Sequence, residues 1–218
     1  MSNVVFIDLE VNPQTKKVLD YGAIKSNGIN IHTTKKVEFE NFIKDSNFIC
    51  GHNICHHDSK YFDNSNNNLI DTLYLSPLLF PEKPYHKLLK DDKILSDDLS
   101  NPLNDAIKAK ELFYDEINEF QSLNQAYKNI LIDLLYDIPE FRGFFAFLKV
   151  APQGDVLQLI SDFFNQKICK NAPLDELIRN SPVPLAYALA IITTKDKTSI
   201  IPHWVHRQFP MVETILKL

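Results

Sequence analysis

Two carboxylates lie one residue apart in an otherwise apolar run near the start of the chain. Residues 4–12 read VVFIDLEVN, in which Asp8 and Glu10 stand among β-branched, aliphatic and aromatic residues. Burying two like charges side by side is costly unless a positive charge lies between them. Carboxylate oxygens are ligands that suit Mg²⁺ or Mn²⁺ rather than zinc. The pair therefore predicts a site for a divalent ion.

Two later acids extend this set. Asp58 follows the segment ICGHN, and Asp105 lies in the first turn of a helix that Asn101 can cap and Pro102 can begin. Four carboxylates at the ends of separate elements can surround two ions roughly 3.5–4 Å apart, which would clamp the attacking and leaving oxygens of a phosphoryl displacement. The alternative is that these are ordinary surface acids. It is weakest for Asp8, whose neighbours are all apolar.

The elements that must position these acids can be read from periodicity. Residues 4–11 predict a buried strand, on which Asp8 and Glu10 point to the same side because side chains alternate with period two. Residues 18–28 and INIHTTKK extend it to an antiparallel meander through an Asn-Gly turn. KVEFENFIKDS predicts a short helix, NFICGHN another buried strand, HDSKYFDN the start of a helix, and LIDTLYLSPLLFP a strand broken by Pro77 and Pro81.

Every segment from about residue 121 onward has helical periodicity. The predicted fold is therefore α/β, with a mixed sheet of about five strands flanked by helices and a C-terminal all-helical appendage. We predict two units, residues 1–118 and residues 119–218. Residues 85–101, which lie between a broken strand and a capped helix, are charged and predict an exposed excursion.

Composition narrows the classes of function. The chain has 218 residues and a net charge of -5, so no strongly basic surface is expected to grip nucleic acid. Its three cysteines are too few for a disulfide framework, which favours a reducing, intracellular (cytoplasmic) location. Neither a signal peptide nor an apolar run near 18 residues is found, so secretion and membrane insertion are not expected.

Three motifs in order resemble those of the DEDD superfamily. FIDLEVNPQTKKVLDYGAI, ICGHNICHHDSKYF and NPLNDAIKAKELF are similar to the exonuclease motifs of DnaQ-like 3′–5′ exonucleases of the DEDDh type, over roughly residues 3–114. The resemblance implies an RNase H-like fold. It also implies that Asp8, Glu10 and Asp105 hold two Mg²⁺ or Mn²⁺ ions directly, and that Asp58 acts at the second ion, partly through water.

The C-terminal half carries a weaker resemblance. PVPLAYALAIIT and IPHWVHRQFP are similar to segments of exonuclease modules that precede a RecQ-type helicase in one polypeptide. The resemblance implies that a helicase, covalently linked or associated, is a partner, and that this chain is a piece of a longer enzyme.

The general base departs from the pattern of the superfamily. The resemblance implies a His five residues, or a Tyr four residues, before the last Asp, and here those positions hold Ser100 and Asn101, which cannot deprotonate water near pH 7. We predict that His86, with an ordinary pKa of about 6.5, supplies the base. Two alternatives stay open. His86 is a surface or loop-packing histidine, or the domain lacks a base and is slow or inactive, binding strand ends without cutting them.

Zinc is a competing interpretation of CGHNICHHD, which concentrates cysteine and histidine in residues 50–58. Zinc sites usually add a second, well separated ligand pair, and this chain lacks one. Cys50 is instead expected to pack in the core as a small apolar side chain.

The sequence thus predicts a metal-dependent 3′–5′ exonuclease that hydrolyses nucleic acid to nucleoside 5′-monophosphates. The expected substrate is single-stranded DNA. The expected partner is the 3′ end of a single strand of DNA or RNA. A catalytically weak end-binding module, and an exoribonuclease or oligoribonuclease of the same fold, are the alternatives, since the sequence carries no indication of sugar choice.

Overall fold

The computed structural model describes residues 3–65, 67–86, 88, 101–165, 167–194 and 200–218. The strands in these residues are β1 (Val4–Val11), β2 (Val18–Lys25), β3 (Asn30–Thr33), β4 (Phe48–Gly51) and β5 (Asn68–Asp71). The helices are α1 (Lys36–Ile43), α2 (Thr72–Leu79), α3 (Pro102–Ser122), α4 (Gln125–Leu135), α5 (Pro139–Leu148), α6 (Val156–Phe163), α7 (Leu174–Asn180), α8 (Pro182–Thr193), α9 (His203–Gln208) and α10 (Met211–Ile215). The fold is α/β, as predicted.

The five strands form one mixed sheet in the order β3-β2-β1-β4-β5. β1, β2 and β3 form the predicted antiparallel meander, and Gly28 at the predicted Asn-Gly turn has a φ of +92°, which glycine adopts without strain. β4 and β5 run parallel to β1. The N-terminal strand therefore lies at the centre of the sheet.

The two faces of β1 belong to two different parts of the core. Val5, Ile7 and Leu9 join an apolar cluster that α1 covers with Phe39. Val4 and Phe6 face the other way, into a larger cluster that contains α3, and the rings of Phe6 and Phe113 are 5.6 Å apart. This alternation is the physical reason that Asp8 and Glu10 project toward the α3 side.

The helical half of the chain packs against that same larger cluster. Gly143 of α5 lies so close to β5 that an added Cβ would be 1.9 Å from the carbonyl oxygen of Leu69. The rings of Phe48 in β4 and Phe147 in α5 meet edge to face at 5.4 Å. The boundary between residues 1–118 and residues 119–218 stays a prediction, and the apolar packing is continuous across it.

One local expectation was wrong, and a second was correct only for the start of its segment. The segment HDSKYFDN forms only a short 3₁₀ turn (Asp58–Lys60), after which the chain makes turns rather than a helix. LIDTLYLSPLLFP becomes β5 followed at once by α2, because the Asp71 side chain caps the helix by accepting from the backbone N–H of Leu73. Pro77 lies inside α2, which ends two residues later.

Within the described ranges, the chain has no helix that combines the length and the apolarity needed to cross a membrane.

Candidate metal centre

The strand β1 places two acids at the edge of the apolar core. Val4 and Phe6 are buried on the α3 side, and Asp8 and Glu10 continue the same row of side chains toward the end of the strand, where both are partly exposed. The row thus changes from apolar to acidic as the strand leaves the core.

The start of α3 brings a third acid to this row. Asn101 caps the helix, with its side chain 3.0 Å from the backbone N–H of Leu103, and Pro102 occupies the first turn, both as predicted. Gly22 of β2 pairs with Asp8, and a Cβ there would be 2.2 Å from the backbone of Pro102 and Leu103. Only glycine permits this approach, which carries the first turn of α3 over the Asp8 strand pair.

The result is a group of three carboxylates. One ligand oxygen each from Asp8, Glu10 and Asp105 lies within 4.8 Å of the others. Asp105 is only 9% exposed, although it lies in the first turn of its helix. Three converging oxygen ligands match the chemistry that Mg²⁺ and Mn²⁺ prefer, so these residues fit a divalent cation.

Asp58 borders the same cavity as the group of three but is not a member of it. It is 1% exposed, and its carboxylate lies 3.0 Å from Nδ1 of His57. Burial raises the pKa of Asp58, while hydrogen bonds from His57 and from the backbone of Leu9 lower it. The same contact raises the pKa of His57. Asp58 is therefore a buried acid that borders the same cavity as the group of three, and its role at a second ion stays a prediction.

The loop that carries Asp58 is held by an acid that the sequence analysis missed. Asp71 accepts hydrogen bonds from the backbone N–H groups of Asn53 at 2.9 Å and Cys55 at 3.0 Å, in addition to capping α2. Asn53 has a φ of 68°, a left-handed conformation that this anchoring supports. Burial raises the pKa of Asp71 to about 6, against these backbone donors. The sequence feature that could have identified Asp71 is its position at the end of a strand, directly before Thr72.

The predicted base, His86, is buried rather than exposed on a surface excursion. It is 4% exposed and borders the cavity, and its Nδ1 lies 2.8 Å from Oγ of Ser76. Its Nε2 has no hydrogen-bond partner within the described residues. The expectation of an ordinary pKa was wrong, because burial, together with the charge of Lys83, lowers the pKa of His86 to about 4. Ser100, at the position expected for histidine, lies outside the described residues.

A second histidine completes this side of the cavity. Nδ1 of His52 is 2.9 Å from Oγ1 of Thr72, and burial lowers the pKa of His52 to about 4. His52 and His86 are therefore both neutral above about pH 5, and neither repels a bound cation.

The zinc interpretation gains no support. Within the described residues, the cysteines and histidines of residues 50–57 form no group of three ligand atoms, and the group that does form is purely carboxylate. Cys50 is fully buried, as predicted, and burial raises the pKa of its thiol.

The remaining wall of the cavity comes from the helical half of the chain. The cavity has a volume of about 1010 Å³, and His203, Trp204 and Arg207 of α9 border it together with the four acids. The sequence analysis did not assign these residues to the site, since no local pattern connects residues 203–207 with β1.

Comparisons of the chain with protein-family models, with curated proteins and with solved structures found no match.

Proposed function

We propose that this protein is a metal-dependent 3′–5′ exonuclease that releases nucleoside 5′-monophosphates from single-stranded DNA. The observation that carries the proposal is the convergence of Asp8, Glu10 and Asp105 from separate elements, with ligand oxygens within 4.8 Å of one another. The buried Asp58 in the same cavity supports it.

The acids would divide the work of holding two Mg²⁺ or Mn²⁺ ions. Asp8, Glu10 and Asp105 would hold the ions directly, and Asp58 would support their binding from the same cavity. Bound there, the ions supply positive charge at the scissile phosphate and lower the pKa of a coordinated water. The chain itself contributes the rigid placement of the carboxylates on a central strand and a long helix, so that little reorganisation accompanies the reaction.

His86 is the group we propose as general base. Its imidazole is neutral near pH 7 and borders the cavity. With the ring proton on Nδ1, donated to Oγ of Ser76, the buried Nε2 would be the nitrogen that accepts a proton. A pKa of about 4 makes His86 a weaker base than an ordinary histidine, so its contribution to the rate is expected at the low end of the usual range for general bases.

The resemblance of three sequence motifs to DEDD exonucleases supports the same proposal. The mixed five-stranded sheet with an antiparallel meander first agrees with the RNase H-like fold that the resemblance implies. From the separate resemblance of PVPLAYALAIIT and IPHWVHRQFP to segments of helicase-linked exonuclease modules, we propose a linked or associated helicase as the partner.

The test is digestion of a 3′-labelled and a 5′-labelled single strand with Mn²⁺ and then with EDTA. We expect the wild type to shorten the strand stepwise from its 3′ end and EDTA to abolish this activity, since the metals supply most of the rate. Asp8→Asn should lower the rate by at least about 10³-fold. Asp115→Asn, an exposed acid on α3, is the matched control and should digest normally.

Each other outcome has a definite meaning. Binding of the strand without shortening would identify an end-binding module instead of an enzyme. Faster shortening of a matched oligoribonucleotide would make RNA the substrate. Equal activity of Asp8→Asn and wild type would refute the proposed centre.

A further inference from the structure

The side chains around the cavity carry more negative than positive charge, which opposes the binding of a negatively charged nucleic-acid strand. Four carboxylates border it, and a single permanently charged cation, Arg207, appears among the described residues that line it. Bound metal ions would offset the carboxylates, but a strand carries a negative charge on each further phosphate. A substrate that occupies more than one nucleotide position therefore needs positive charge away from the metal centre.

Arg207 is available to provide that charge. Its side chain is exposed, and within the described residues no ion pair engages it. The nearby acid of the next helix, Glu213, is paired instead with Lys217 at 2.6 Å and His206 at 3.3 Å.

The helix that carries Arg207 is firmly held in the cavity wall. Trp204 packs edge to face on Tyr74 of α2 at 5.0 Å and lies 5.8 Å from Phe209, while Val205 is fully buried. The backbone N–H of His203 donates to the carbonyl of Pro84 at 3.3 Å, two residues before His86. Arg207 is thus positioned by packing on a fixed helix, and ordering it on binding costs less than it would on a loop.

We propose that Arg207 binds a phosphate of the substrate strand other than the scissile one, and so positions the strand end at the carboxylates. This inference rests on the proposed function, which identifies the ligand as a nucleic-acid strand. The cavity volume of about 1010 Å³ is at the upper end of typical ligand sites and exceeds what one nucleotide needs. A guanidinium can grip phosphate oxygens through two parallel N–H donors, which fixes the direction of the strand as well as its affinity.

The proposal makes the helical half of the chain part of the substrate site. The acids and the base candidate come from residues 8–105, whereas the phosphate ligand comes from α9. Arg207 is on this account a positioning residue, and its loss should weaken strand binding more than it slows the chemical step.

The test is the salt dependence of strand binding. Affinity for a short labelled oligothymidylate is measured by fluorescence anisotropy over a range of KCl concentrations, with Ca²⁺ in place of Mg²⁺. One lost phosphate contact should lower the slope of log affinity against log salt by about 0.7. We expect Arg207→Ala to show this change and about a tenfold loss of affinity at low salt, whereas Arg207→Lys keeps the slope.

Two internal controls accompany the titration. Arg179→Ala removes an exposed arginine of α7 that does not border the cavity, and it should match the wild type. Trp204 is the only tryptophan of the chain, so a change in intrinsic fluorescence on titration reports occupancy of the cavity.

The outcomes separate this proposal from the nuclease proposal. Wild-type affinity and slope in Arg207→Ala would overturn the role of Arg207, whether or not the wild type cuts the strand. A weakened affinity with an unchanged slope would also overturn it, because the lost contact would not be ionic. Normal strand binding that depends on Arg207, without cleavage in Mn²⁺, would overturn the nuclease alone. Absence of both binding and cleavage in the wild type would overturn both.

Discussion

At the scale of single residues, burial decides what each polar group can do. His86 lies in the cavity wall, with one ring nitrogen 2.8 Å from Oγ of Ser76 and the other without a hydrogen-bond partner in the part of the chain that the structure describes. Because desolvation disfavours the charged imidazolium, the same burial that orients His86 also weakens it as a base.

The prediction at this scale concerns the rate that His86 contributes. His86→Gln should lower kcat by about a hundredfold with Mn²⁺, the low end for general-base catalysis, and leave KM for the strand nearly unchanged. The measurement is the steady-state rate of digestion of a labelled strand over a range of strand concentrations. His206→Gln, an exposed histidine of α9, is the control. An unchanged kcat in His86→Gln would remove this residue from the mechanism.

At the scale of elements, one close contact between a strand and a helix builds the acidic group. Asp8 and Glu10 are neighbours because a strand alternates its side chains, but Asp105 joins them only because the start of α3 rests on Gly22. A longer helix-to-strand distance would separate Asp105 from the β1 acids without changing either element.

We therefore expect Gly22→Ala to damage the metal centre more than its small size implies. The new methyl group meets backbone atoms of Pro102 and Leu103 at 2.2 Å, so α3 must shift, at a cost of about 1–3 kcal/mol in the free energy of unfolding. Mn²⁺ affinity, measured by calorimetry, should fall at least tenfold, and urea unfolding should show the loss of stability.

Gly154→Ala is the matched control for this substitution. Its Cβ would meet the flexible end of Leu159 at 3.3 Å, which can move aside, so wild-type metal affinity is expected. Wild-type Mn²⁺ affinity in Gly22→Ala would show that the acids do not depend on this contact.

At the scale of the whole molecule, one apolar cluster joins the sheet to the helical half. It runs from Phe6 and Ile70 in the sheet to Phe144 and Tyr187 in the helices, and the Tyr187 hydroxyl donates to the carbonyl of Tyr74 at 2.9 Å. Because α9 belongs to the half that this cluster holds, the cavity wall and the carboxylates depend on the same packing.

The stability of the whole molecule should depend on pH through the two buried histidines. Their pKa values of about 4 lie below the ordinary value of about 6.5 expected for the unfolded chain. Between these values the unfolded state binds protons that the folded state does not, so the contribution of the two histidines to stability is lost as the pH falls from about 6.5 toward 4. Asp71, whose pKa is raised to about 6, contributes with the opposite sign in this range. For His86 alone the loss by pH 4.5 is about 2 kcal/mol.

Urea unfolding at pH 7 and pH 4.5 measures this effect. The drop in unfolding free energy between the two pH values should be smaller in His86→Gln than in the wild type by about that amount, and unchanged in His206→Gln. Equal drops in His86→Gln and wild type would mean that His86 titrates normally in the folded protein.

Several local features of this protein were determined by its sequence alone. Period-two alternation put Asp8 and Glu10 on one side of a buried strand, Asn27 and Gly28 predicted the turn of the meander, and Asn101 with Pro102 predicted the start of α3. Each of these depends on residues within a few positions of one another, which is the range over which backbone preference and hydrophobic period act.

Long-range packing was decided only by the tertiary structure. Three such contacts are the approach of α3 to Gly22, the burial of His86 against Ser76 and the anchoring of the Asp58 loop by Asp71. They join residues separated by 10 to 81 positions along the chain. The entry of Arg207 into the cavity wall is of the same kind. None of these contacts has a local period, because each one depends on how complete elements pack against each other.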